Sequence, residues 1–152
     1  MDVIRRTKVT LMLADHAQTA DGKLNVLGGG WTITGPHPVP FALVALVEMP
    51  WDAAGEPHTV RFELIDDQGA PVLVPTDDSD QPLVIEATFD LAPSPGVKRG
   101  TPLTMPIAMN LSPPPPIPAG GRYEWRVEVD GETHEEWRIG FSTRHDPEAG
   151  AP

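Results

Sequence analysis

The sequence predicts an all-β protein, a single-domain antiparallel β-sandwich of about nine strands. Three observations lead there. The first is two-residue alternation, clearest over residues 122–130, where Tyr123, Trp125, Val127 and Val129 interleave with Arg122, Glu124, Arg126 and Glu128. Successive side chains of a strand point to opposite faces, so this segment has one buried and one wetted side. The second is punctuation: the chain holds 19 prolines and 14 glycines, most of them between the alternating runs, as in strands joined by turns. The third is the lack of a helical pattern. The best helical stretch, residues 52–57, is short and holds Gly55 and Pro57.

The elements follow in order. Residues 7–14 read as a first strand with Val9, Leu11 and Leu13 inward, and residues 15–22 lead through the turn dipeptide Asp21-Gly22 to a strand at 23–27. Gly28-Gly29-Gly30 then breaks or bulges the chain before a strand at 31–34. Residues 41–49 are a near-continuous apolar run, as in a strand covered on both faces. Alternation returns at 59–66, with Val60, Phe62 and Leu64 on one side, and a short strand is expected at 71–74. Residues 83–91 place Leu83, Ile85, Ala87, Phe89 and Leu91 on one face; residues 103–111 do the same with Leu103, Met105, Ile107, Met109 and Leu111. Pro102 and Pro106 cannot donate to a ladder, so 103–111 is an edge strand. Strands at 122–130 and 136–143 close a domain spanning 1–143, and 144–152 is a polar tail. The expected core is Val9, Leu11, Leu13, Leu24, Val26, Leu43, Ala45, Val47, Phe62, Leu64, Ile85, Phe89, Met105, Ile107, Val127, Ile139 and Phe141.

The closing hairpin carries a parity constraint. A two-residue Asp130-Gly131 turn pairs Val129 with Glu132 and sets odd positions of one strand against even positions of the next, which places the two apolar faces on opposite sides. A three-residue loop, 129–131, restores the match and sets Tyr123 opposite Trp137, with Gly131 in the left-handed bulge position. The bulged loop is the expectation.

Composition narrows the function. Apolar residues make up 39%, and 14 glycines in 152 add about 9%, for about 48% in all, an ordinary globular value. A core of this size stands without staples, which fits the absence of cysteine. That absence excludes disulfides, thiolate metal sites and a cysteine nucleophile. The N-terminus has no apolar run of signal-peptide length, and the longest apolar stretch, residues 39–47, is too short to span a bilayer. A cytoplasmic protein without membrane contact is expected. Residues 48–90 hold 11 acidic residues against Arg61 alone, a net −10 of the chain's −11. Such a field repels nucleic acid. It serves solubility, or else forms a docking face for a basic partner or a cation.

Candidate sites are few. Asp77, Asp78 and Asp80 offer three carboxylates to a calcium ion, but lack the glycine and distal glutamate of an EF-hand loop. The run at 112–121, with four consecutive prolines, reads as a stiff strap between strands in preference to an adaptor ligand. No two of His16, His37, His58, His134 and His145 stand at metal-pair spacing. The serines 79, 94, 112 and 142 have no nucleophile-elbow context, so no catalytic residue and no cofactor is assigned. Tyr123, Trp125 and Trp137 read as core in preference to a sugar platform, and Trp51 is the better exposed aromatic.

The opening third carries Leu13-Ala-Asp-His-Ala-Gln18, Asp21-Gly-Lys-Leu24 and Gly28-Gly-Gly-Trp31. In these motifs the chain resembles an uncharacterised bacterial domain family of unknown function. The resemblance implies a self-contained domain and no catalytic residue. Physically, the glycines permit a positive-φ kink that lets Trp31 fold back on the sheet.

The function expected is that of a non-catalytic cytoplasmic interaction protein with a protein partner or self-association. Alternatives are a structural or decoration subunit of a phage-type particle and a small-ligand or carbohydrate-binding module.

Overall fold

The structure, a computed structural model, describes residue 3 and residues 6–147. Among these, eleven strands form: β1 (Lys8–Ala20), β2 (Lys23–Gly29), β3 (Ile33–Thr34), β4 (Phe41–Met49), β5 (Pro57–Asp66), β6 (Leu73–Pro75), β7 (Asp80–Pro82), β8 (Val84–Asp90), β9 (Leu103–Leu111), β10 (Arg122–Val129) and β11 (Glu132–Thr143), with one 3₁₀ turn at Trp51–Ala53. Sheet I has the order β2-β1-β4-β9, sheet II the order β3-β11-β10-β5-β8, and β6-β7 is a separate ribbon. No helix among the described residues is long and apolar enough to cross a membrane.

One core lies between the sheets. Leu13, Leu43 and Val47 of sheet I meet Phe62, Leu64, Trp125, Val127 and Phe141 of sheet II in a single buried cluster. The apolar run of β4 sits between β1 and β9, with Phe41, Leu43, Ala45 and Val47 toward this core and Ala42 and Val44 in a second small cluster on the other face. β9 is an edge strand, as Pro106 requires. Tyr123, Trp125 and Trp137 are core residues. The glycine triplet is where the chain leaves sheet I for sheet II. Gly28 and Gly30 take φ of 62° and 91°, the Gly30 N–H donates to Leu13 O, and Trp31 then packs edge-on against Phe41 and Phe141. The proline run is a strap from β9 to β10. Pro115 and Ile117 are buried, and the carbonyl of Pro118 accepts from the Tyr123 hydroxyl at 2.9 Å and the Thr143 hydroxyl at 2.8 Å.

Several expectations are corrected. β1 continues to Ala20 and turns tightly through Asp21 and Gly22, with φ of 53° and 70°, so 15–20 is strand and not connection. The strand at 31–34 shrinks to Ile33–Thr34 and pairs in parallel with β11. The strand at 71–74 shifts to β6, and its partner β7 was not foreseen. Val26 is 39% exposed and lies outside the core. Trp51 is half-buried against the core. The tail is tied in at its start: Arg144 N–H donates to Thr34 O and its carbonyl accepts from Gly120 N–H; positions 148–152 lie outside the described residues.

The register of the closing hairpin also differs. The tight Asp130-Gly131 turn forms, with φ of 52° and 80°, and Val129 pairs with Glu132. Parity is restored farther along. Between Glu128↔Thr133 and Arg126↔Arg138 the register shifts, and Tyr123 comes opposite Phe141 instead of Trp137. The extra residues sit in a bulge of β11, where the Thr133 hydroxyl satisfies the Val127 carbonyl at 2.7 Å. The parity constraint therefore holds, but it is relieved within β11 and not by a three-residue loop at 129–131. Two left-handed turn residues favour the tight turn, and a bulge costs little where a side chain caps the freed carbonyl.

Candidate interaction surface

The outer faces of the two sheets differ in chemistry. In sheet II the outward positions carry Arg61, Glu86, Glu128, Glu124, Arg126 and Arg138, which form a two-signed lattice. Arg61 lies 3.1 Å from Glu128 and 3.4 Å from Glu86, while Glu124 holds Arg126 at 2.8 Å and Arg138 at 3.5 Å. These exposed pairs contribute little stability each, but they keep this face hydrated.

The outer face of sheet I runs in rows set by the registers of β1, β4 and β9. Lys8, Glu48 and Thr104 form one row; Thr10, Leu46 and Pro106 the next; Met12, Val44 and Ala108 a third; Ala14, Ala42 and Asn110 the last. Beyond the first row there is no charge, in a chain of which 22% is charged. Met12 and Leu46 remain 38% and 37% exposed. The last rows are covered by the chain itself. Past Ala14, β1 outruns the end of β4, and the β1-β2 hairpin leans over this face as an arm, packing Ala17 and Leu24 on Ala14, Ala42 and Val44. Asn110 fastens it: its side-chain Oδ1 accepts from Ala17 N–H at 3.1 Å and its Nδ2 donates to Ala17 O at 2.7 Å. The result is a flat apolar shelf, Met12, Leu46 and Pro106, beside an overhanging arm.

Other groups that sequence reasoning raised or missed lie apart from this shelf. Asp77 and Asp78 sit at the tip of the β6-β7 ribbon and Asp80 in β7, all exposed; among the described residues no three His, Cys, Asp or Glu side chains gather as metal ligands. His58 was missed. It is 5% exposed, its Nδ1 is 2.7 Å from Asp130 Oδ2 and its Nε2 is 2.7 Å from Ala53 O. Both partners are acceptors, so only the doubly protonated imidazolium satisfies both. Burial works against that charge, but the Ala53 carbonyl and the Asp130 carboxylate outweigh it and the pKa is raised above 6.5. With Nε2 bonded to a carbonyl, this Asp–His pair is a clamp between the 3₁₀ turn and the β10-β11 turn, not a poised base. Pairing across 72 residues left no local signal. Tyr123 keeps its proton, burial being the main cause of a raised pKa, and donates to Pro118. The β11 bulge opens a depression of about 550 Å³ lined by Thr7, Lys8, Thr133, His134 and Trp137; Trp137 is itself buried there, so it offers no stacking platform.

Residues 9–141 match the model of a family of unknown function, DUF6941, and the chain belongs to that family. No curated protein and no solved structure matches it.

Proposed function

We propose that this protein is a non-catalytic β-sandwich interaction module, acting in the cytoplasm, that docks a protein partner with an uncharged apolar contact patch on the outer face of sheet I. The observation that carries the reading is the segregation of charge between the two outer faces: hydrated ion pairs across sheet II, and on sheet I no charge in the rows of Met12, Leu46 and Pro106, the Lys8–Glu48 row forming their border. In a chain of net charge −11, a face without charge is the one that a partner approaches at the lowest desolvation cost. The pairing of buried His58 with Asp130 also favours a non-catalytic role, since both ring nitrogens are spent on fixed acceptors.

A photo-reactive residue placed at Leu46, and separately at Arg126 on sheet II, tests this in cells. The expected result is one discrete adduct from position 46, absent from position 126, whose protein rebinds in purified form and is lost with Leu46→Glu. No adduct from 46, or the same adducts from both positions, overturns the reading.

A further inference from the structure

The free strand edges are not equivalent. β9 ends sheet I with Pro106 in its middle. β8 ends sheet II carrying Glu86 and Asp90, and β3, at the other end, is two residues long. Prolines, charges and shortness are the usual devices that blunt an edge. β2 is less protected: it has Lys23 at its start and the kink of Gly28, φ 62°, near its end, with nothing of the kind between them. It is seven residues long, has no proline and no acid, and carries a single charge, Lys23, at its start. It also bears the most exposed large apolar side chain among the described residues: Leu27 is 69% and Val26 39% exposed.

We propose that β2 is a self-association edge, pairing antiparallel with β2 of a second copy about a two-fold axis at Val26. Register follows from the hairpin. Across the two-residue Asp21-Gly22 turn, Ala20 and Lys23 are partners, and the pair flanking such a turn is hydrogen-bonded. Hydrogen-bonded pairs alternate along an antiparallel ladder, so Lys23, Asn25 and Leu27 bond inward to β1, while Leu24 and Val26 turn their N–H and C=O outward. Val26 therefore bonds Val26 of the second copy, and the regular ladder runs over Asn25–Leu27 of each strand, ending at Gly28, whose φ of 62° leaves the extended conformation. Lys23 lies toward the glycine end of the second strand, so the one charged residue of the strand never meets its like. Leu27 faces Asn25 of the second copy and lies diagonal to the second Leu27, within reach of a leucine side chain. The most exposed leucine is thus covered by its own twin. Two copies that each carry −11 repel, and β2 itself contributes no acidic side chain to the seam, the nearest carboxylates being Asp15 beside Gly28 and Asp21 in the turn. The two copies of sheet I become one continuous eight-stranded sheet, the sum of four and four.

The absence of cysteine makes the test direct. Light scattering on the full chain is expected to give twice the 16.4 kDa chain mass, falling to the single mass in Leu27→Asp with an unchanged melting temperature. Val26→Cys is expected to form a reducible dimer on mild oxidation, since Cα atoms of such a pair stand about 5.5 Å apart and suit a disulfide; Leu73→Cys, on the exposed β6, serves as the comparison. A single-chain mass at high micromolar concentration overturns the proposal, as does equal cross-linking of the two cysteine variants. Should Val26→Cys fold poorly, the mass change in Leu27→Asp decides alone. Solution mass does not depend on the Leu46 adduct, so failure here and failure of the docking face are separate outcomes.

Discussion

Replacing Asp130 by asparagine tests the buried clamp with little steric change. Asparagine keeps the left-handed turn conformation that Asp130 adopts at φ 52°, since both side chains tolerate it. It also keeps an amide oxygen to accept from Thr59 N–H, as Oδ1 does at 2.9 Å. What it removes is the carboxylate 2.7 Å from His58 Nδ1. A hydrogen bond to a charged group contributes about 1.5–3 kcal/mol, and His58 is nearly inaccessible to water while the Asp130 side chain is about one-third exposed. We therefore expect a loss of about 1.5–3 kcal/mol at pH 6, or about 3–12 °C in melting temperature for a domain of this size. The sign of the pH dependence follows from the raised pKa of His58. Its stabilisation is fully present below the unfolded value of 6.5 and is lost as pH rises through the folded value. The gap between Asp130→Asn and the parent chain should accordingly shrink from pH 6 to pH 9. Paired chemical denaturation of both proteins at the two pH values measures it. A gap that is constant with pH, or below about 0.5 kcal/mol at pH 6, would refute a charged His58.

Two further outcomes are expected. Phe62→Ala empties a fully buried position between the sheets and should cost about 3–5 kcal/mol by denaturation; an unchanged melting temperature would mean that Phe62 does not face the core. Asn110→Ala removes both bonds to Ala17, at about 1–3 kcal/mol for the two; amide exchange should quicken in the β1-β2 arm and stay unchanged in β10, and uniform quickening would contradict local fastening of the arm.

What the sequence determined by itself is what repeats at short range. Alternation at 59–66, 103–111 and 122–130 reads out strands and their inward faces directly, because the side-chain period of two is a property of each strand alone. Pro106 marks an edge for the same reason: a missing N–H is local. Leu27, the Asp21-Gly22 turn and the uncharged outward positions Ala42, Val44 and Leu46 of β4 were also in plain sight, though their meaning as a surface was not. Only the tertiary structure decided which strands share a sheet, and so that Ile33–Thr34 joins β11 and that the arm leans over β4. His58 and Asp130 are far apart in sequence, and nothing near either one announces the other. The hairpin register shows the boundary most sharply. Parity between Tyr123 and its partner is a local rule, but where the chain absorbs the mismatch depends on packing across the sandwich. The loop kept its preferred tight turn, and β11 bulged where the Thr133 hydroxyl could cap the freed carbonyl.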